Sequence, residues 1–279
     1  MGNCINIKIL TENEMYQPFD DSIIFIRYFN KSLDNVIWPH EIKRIKFNGF
    51  FNKPIYNVKW PEELTTLIFG NNFNQSVNYM NWPCSLETLI MGYEFNQKID
   101  YIHLPDSLIK FELGYHFNKP IENIKWPNSL KILTLGNNFN QSIQNIKLPL
   151  SLVNITFGNN FNQPLEKIKW PDSLEKISFG NDFNQPIENV EWSNSLEKIT
   201  FGYNFNQPIK NVKWPDSLKL ITFGYNFNQT IKKVVWPKSL FIVTFGCNFE
   251  QSINNIKWPL SIKKIVINRK NGNRNIKSK

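Results

Sequence analysis

A Phe-Asn pair, written Phe-Glu once, begins at Phe29, Phe51, Phe73, Phe95, Phe117, Phe139, Phe161, Phe183, Phe205, Phe227 and Phe249, always 22 residues apart and without one insertion. A period held this strictly leaves few folds open. Each unit must be one coil that lies on the coil before it, so the chain is expected to be a single repeat solenoid with one elongated core.

The rest of the phrase fixes what each coil does. Leu174, Ile177 and Phe179 follow L-x-x-L-x-L, the strand signature of leucine-rich repeats. In Ile177-Ser178-Phe179 two apolar side chains point inward and the polar one outward. Corresponding triplets run from Ile23-Ile24-Phe25 to Ile265-Val266-Ile267. The expected fold is therefore a β-rich, leucine-rich-repeat-like right-handed stack of 22-residue repeats. About twelve short parallel strands form one face, and extended or 3₁₀ segments form the other. Pro171 and Pro186, two prolines in a unit this short, leave no room for a long helix. A glycine follows most strands, from Gly70 to Gly246, where a side chain would obstruct the bend. The outer strands carry Ile26, Asn48 and Asn268 in that column, in keeping with atypical terminal repeats.

Phe183 and Ile187 read as core. The asparagine after the phenylalanine reads as a bridge between coils, because an amide both donates and accepts. Asn74, Asn96, Asn118, Asn140, Asn162, Asn184, Asn206 and Asn228 make up this ladder, and Glu250, which cannot donate, should weaken it. Trp stands at the close of nine units, with Leu104 and Leu148 in the same column. Leucine keeps the bulk but not the stacking plane, so the column reads as buried packing.

The formal charge of +9 is unevenly placed. Arg269, Lys270, Arg274, Lys277 and Lys279 carry five of the positives, so residues 1–267 carry +4. The expected division is an N-terminal cap with a degenerate first strand over 1–28, eleven repeats over 29–267, and a basic disordered tail over 268–279. Ile5, Ile7 and Ile9 alternate as a cap strand would. Cys4, Cys84 and Cys247 have no metal or redox spacing, which favours a reducing compartment. No apolar run is long enough to span a membrane, and the start lacks a signal peptide's apolar centre. Gly2 and Cys4 suggest acylation, but Asn6 stands where the motif wants Ser or Thr, so no lipid anchor is expected. Asn30, Asn74, Asn140, Asn154 and Asn228 lie in glycosylation sequons, mostly at the ladder position, where a glycan on a buried asparagine would disrupt the stack. An intracellular protein is expected.

Phe-Asn-Gln-Pro-Ile, preceded by WPxSLxxIxFG, resembles the FNIP repeat family over about residues 29–267. The resemblance implies a leucine-rich-repeat-like fold, an amoebal or giant-virus setting (host cytoplasm, if viral), and binding rather than catalysis. Some members of that family carry an F-box or kinase-like domain, for which the first 28 residues are too short.

No catalytic constellation is visible. His40, His103 and His116 occupy variable columns, and no Walker loop, dinucleotide fingerprint or zinc spacing occurs, so no enzyme, cofactor or metal is expected. Function should then lie in the exposed, variable columns. The strand face carries Lys43, Arg44, Lys46, Lys110, Lys131, Lys176, Lys198, Lys219, Lys263 and Lys264 against Glu87, Glu112, Glu175 and Glu197. Tyr93, Tyr115, Tyr203 and Tyr225 stand beside it, after the glycine. Arg44, Lys110, Lys176, Lys198, Lys219 and these four tyrosines are the candidate binding residues, for a protein partner of acidic or mixed charge. Nucleic-acid binding through the same face and the tail, or a structural assembly role, are the alternatives. The irregular terminal repeats favour a monomer.

Overall fold

The computed structural model describes residues 16–19, 21–269 and 274–276, with 16–19 and 274–276 described by their backbone alone. Ile5, Ile7, Ile9, Gly2, Cys4 and the tail lysines lie outside the described residues. Two compact units meet at Gly136 and Asn137 and are taken one at a time.

In the first unit, residues 1–136, β1 (Tyr16–Phe19) pairs antiparallel with β2 (Ser22–Phe25). β2 then begins a parallel series with β3 (Arg44–Lys46), β4 (Thr66–Ile68), β5 (Thr88–Ile90), β6 (Lys110–Glu112) and β7 (Ile132–Thr134). In the second unit, residues 137–279, β8 (Asn154–Thr156), β9 (Lys176–Ser178), β10 (Lys198–Thr200), β11 (Leu220–Thr222), β12 (Ile242–Phe245) and β13 (Lys264–Ile267) are parallel, and β14 (Arg274–Ile276) closes the edge antiparallel to β13. The register advances one repeat per strand, Lys176 lying opposite Lys198 and Lys198 opposite Leu220. β14 corrects the expectation of a frayed tail: Arg274–Ile276 pairs with Ile265–Ile267. Without it the edge of β13 would leave a row of backbone donors and acceptors unpaired.

Each repeat is one short strand followed by three tight turns. In the coil of β9 these are closed by Phe183 N–H to Gly180 O, Val190 N–H to Ile187 O, and Leu196 N–H to Ser193 O. Among the described residues no helix forms, in keeping with a proline once or twice in every unit. The inward side chains make the core: Leu174, Ile177, Phe183 and Ile187 are wholly buried, as are their equivalents in neighbouring coils.

Equivalent rings one repeat apart report the local spacing between coils, because they are nearly parallel. In the second unit strands stand about 4.8 Å apart, the ordinary sheet spacing. Phe179 and Phe201, at the strand's end, are 5.7 Å apart, Phe183 and Phe205 6.0 Å, and Trp170 and Trp192 6.3 Å. Over the coils from Trp170 to Trp214 the spacing widens away from the strands, whereas Trp236 and Trp258 stand 5.0 Å apart.

Candidate recognition surface and an amide-lined trough

The ladder after the phenylalanine runs through both units. The backbone N–H of Asn184 donates to Asn162 Oδ1, that of Asn206 to Asn184 Oδ1, and that of Asn228 to Asn206 Oδ1, each at 2.9 Å. The next glutamine adds a second donor, Gln207 Nε2 reaching Asn184 Oδ1 at 3.1 Å. In the first unit Asn74 accepts from Asn96, and Asn96 from Asn118, in the same way. The donor is thus the main chain and the side chain only accepts, which corrects the expectation for Glu250: its N–H reaches Asn228 Oδ1 at 3.0 Å. Replacing Asn184 by Ala would strand the half-buried Asn206 N–H, while Gln207 Nε2 would keep only its bond to the residue-184 carbonyl at 2.9 Å. A loss of about 1–2 kcal/mol is expected from the urea midpoint.

Asn74 and Asn228 are half-buried, and their Nδ2 groups make no bond in the ladder, so a glycan there would leave the ladder intact. A serine column, not anticipated from the sequence, ties the opposite corner. Ser173 Oγ donates to the carbonyls of Leu150 and Leu152, and Ser217 Oγ to that of Leu196. Its signal was the near-constant serine of the WPxSL phrase.

The tryptophans are packing residues in large part. Trp60, Trp82, Trp170, Trp192, Trp214 and Trp236 are buried. Trp38, Trp126 and Trp258 are half-buried.

On the strand side of the first unit, Arg44 is exposed and Lys110 half-buried, its Nζ 2.8 Å from Glu112. Tyr93 and Tyr115 stack with centroids 4.5 Å apart, and His116 meets Tyr93 edge-on at 5.0 Å while facing Glu94. Partial desolvation, with Tyr115 and Glu94 adding to it, holds the Tyr93 hydroxyl above its ordinary pKa. In the second unit Lys176 and Lys219 are exposed and Lys198 is half-exposed. Lys219 bonds Glu197 of the preceding coil. Tyr203 and Tyr225 stack at 4.7 Å.

The second unit also carries a trough of about 770 Å³ lined by two rows of amides. The inner row is the ladder itself, Asn162 to Asn228. The outer row, two residues earlier, is a ladder of side chains only. Asn204 Nδ2 donates to Asp182 Oδ1 at 3.1 Å, Asn226 to Asn204 at 3.0 Å, and Asn248 to Asn226 at 2.9 Å. Between the rows Phe183, Phe205 and Phe227 are sealed beneath the surface.

Among the described residues no cluster of His, Cys, Asp and Glu could hold a metal, and no helix is long and apolar enough to cross a membrane. Cys84 is exposed and Cys247 half-buried, both as free thiols.

The FNIP Repeat family matches residues 51–94, 95–138, 117–160, 139–182, 183–226 and 205–248. The chain belongs to the FNIP repeat family. A solved structure agrees with this FNIP fold: the giant-virus protein CroV588, described as a novel circular LRR protein structure, is 45% identical with a TM-score of 0.79. The alignment covers 86% of this FNIP chain and 35% of that one, so the chain spans about a third of CroV588's length. YopM from Yersinia enterocolitica is 14% identical with a TM-score of 0.37, covering 83% of this chain and 65% of that one. A leucine-rich repeat protein from Bacteroides ovatus is likewise 14% identical with a TM-score of 0.24, covering 95% and 90%. No curated protein matches the FNIP sequence.

Proposed function

We propose that the protein is a non-enzymatic interaction scaffold whose strand face binds an acidic or mixed-charge protein surface. Leucine-rich-repeat-like solenoids are typical binding scaffolds. The observation that carries the reading is the pairing of Lys176 with Lys198. They lie directly opposite on adjacent strands, and neither has an ion-pair partner among the described residues. Like charges so placed destabilise a sheet, and an acidic partner relieves both at once. The stacked Tyr203 and Tyr225 beside them supply rigid apolar area of the kind that dominates interfaces. The free thiols support an intracellular setting, the host cytoplasm should the chain be viral.

Replacing Lys198 by Glu separates binding from folding. The variant places opposite charges across β9 and β10, so stability should rise by about 0.2–1 kcal/mol. Recovery of a protein partner by affinity purification from the native cell should fall by about tenfold or more. Unchanged recovery would overturn the reading. Recovery of nucleic acid that falls steeply with salt would replace the partner class.

A further inference from the structure

The tryptophan column of the second unit begins with a leucine. Leu148 stands where Trp170, Trp192, Trp214, Trp236 and Trp258 follow. Within that column Trp192 has a ring on either side, Trp170 and Trp214, each with its centroid 6.3 Å away. Trp170 meets a ring on the Trp192 side, and on the other side the unit offers only Leu148.

A groove opens at this step. Leu148 and Trp170 line it, and its volume is about 670 Å³. The equivalent groove three coils on, lined by Trp214 and Trp236, has about 390 Å³. There Asp216 and Lys238, one on each coil, bond at 2.7 Å and tie the two coils together beside the groove. Their counterparts at the Leu148 step are Leu150 and Asp172, which cannot form such a tie. Leu150 instead holds an apolar side chain out at the rim, 78% exposed.

That rim is basic. Lys147, Lys167 and Lys169 line the groove, all exposed and none in an ion pair among the described residues. Asp172 is the single acid among the lining residues. A leucine in the column does not bring this rim with it. Around Leu104, in the first unit, Asp100, His103 and Asp106 replace Gln144, Lys147 and Leu150, and Asn123 replaces Lys167.

The step thus has room where its neighbours have a ring, an apolar wall, and an excess of positive charge at its edge. Its volume is that of a small-molecule site, which such walls with a few placed polar groups typically form. An aromatic ring suits the wall, since indole edges and faces favour ring partners. A carboxylate suits the lysines, which can donate to it from several directions. We infer that the Leu148 groove binds a small aromatic carboxylate, its ring against Leu148 and Trp170 and its charge among Lys147, Lys167 and Lys169. The lysines are solvated, so the charge adds modestly and the affinity expected is submillimolar. This site is separate from the strand face and does not depend on what binds there.

The test titrates the full chain with indole-3-propionate by calorimetry. Leu148→Trp restores the residue of the neighbouring coils and should weaken binding by about tenfold or more, with the native urea midpoint kept or raised. Leu150→Asp with Asp172→Lys recreates the tie of the later groove and should weaken it comparably. Lys147→Gln with Lys169→Gln should weaken indole-3-propionate by about fivefold and leave uncharged 3-methylindole unaffected. Octanoate, an aliphatic acid, should bind more weakly than the aromatic one. Lys198→Glu on the strand face should change nothing. The inference is overturned if indole-3-propionate does not bind at millimolar concentration, or if binding survives both groove-filling changes. Octanoate binding as tightly would overturn the aromatic assignment, and loss with Lys198→Glu would move the site to the strand face.

Discussion

Phe183→Ala should lose about 3–5 kcal/mol, the range for a buried phenylalanine emptied to a cavity. Phe183 has no exposed surface and stacks on four rings: Phe179 at 4.1 Å, Phe205 at 6.0 Å, Phe161 at 6.1 Å and Phe201 at 6.4 Å. A gap there cannot be closed from one side, because the adjacent rings are held by their own coils' strands and ladders. Stability in a solenoid is the sum of coil and nearest-neighbour terms. The loss should therefore appear as a split denaturant transition, the coils about residue 183 opening before the others. A single transition displaced by less than about 1 kcal/mol would mean that the coils collapse onto the gap.

The second large effect is expected at Gly202→Ala. The glycine is needed for closeness and not for an unusual dihedral, since Gly49 is the one glycine described with positive φ. A Cβ on Gly202 would overlap the carbonyl oxygen and carbon of Gly180 and lie 2.8 Å from Asn181 Cα. Every one of these atoms is backbone, so no side-chain rotation relieves the overlap. The coils must part, at the cost of bonds such as Phe179 N–H to Thr200 O at 2.9 Å and Asn204 N–H to Asn181 O at 2.8 Å. A loss of about 3 kcal/mol, the upper end for overpacking, is expected in urea melts. The column opens more gently at its start: at Gly70 the nearest atoms of Asn48 would be at 2.8 and 2.9 Å. A wild-type midpoint for Gly202→Ala would show that coil spacing is softer than the backbone contacts imply.

The strand positions were legible because two constraints coincide in each coil. Ile177 alternates with its neighbours as a strand must, and the 22-residue phase repeats that alternation from Ile23 to Ile265. The glycine column was legible for the same reason, being steric and periodic at once. Where the phase ends, the reading failed. β1 and β14 belong to no repeat, and β14 lies in a tail read by its charge. The direction of the asparagine ladder was also out of reach. Composition says that an amide can donate or accept, and only coordinates show that the main chain of Asn206 supplies the hydrogen. The trough needed more still, because its outer row becomes a surface only once Asp182 and Asn204 are neighbours in space.

Each coil's upper contacts are the lower contacts of the next. Gly202 meets Gly180 as Gly224 meets Gly202, and Asn206 bonds Asn184 as Asn228 bonds Asn206. The coils are therefore interchangeable parts, and a gene that gains or loses them by unequal recombination in whole units makes no mismatched junction. Lineages can lengthen or shorten such a protein without first repairing its core. Selection is left to act on the few outward columns, where neighbouring copies are free to drift apart.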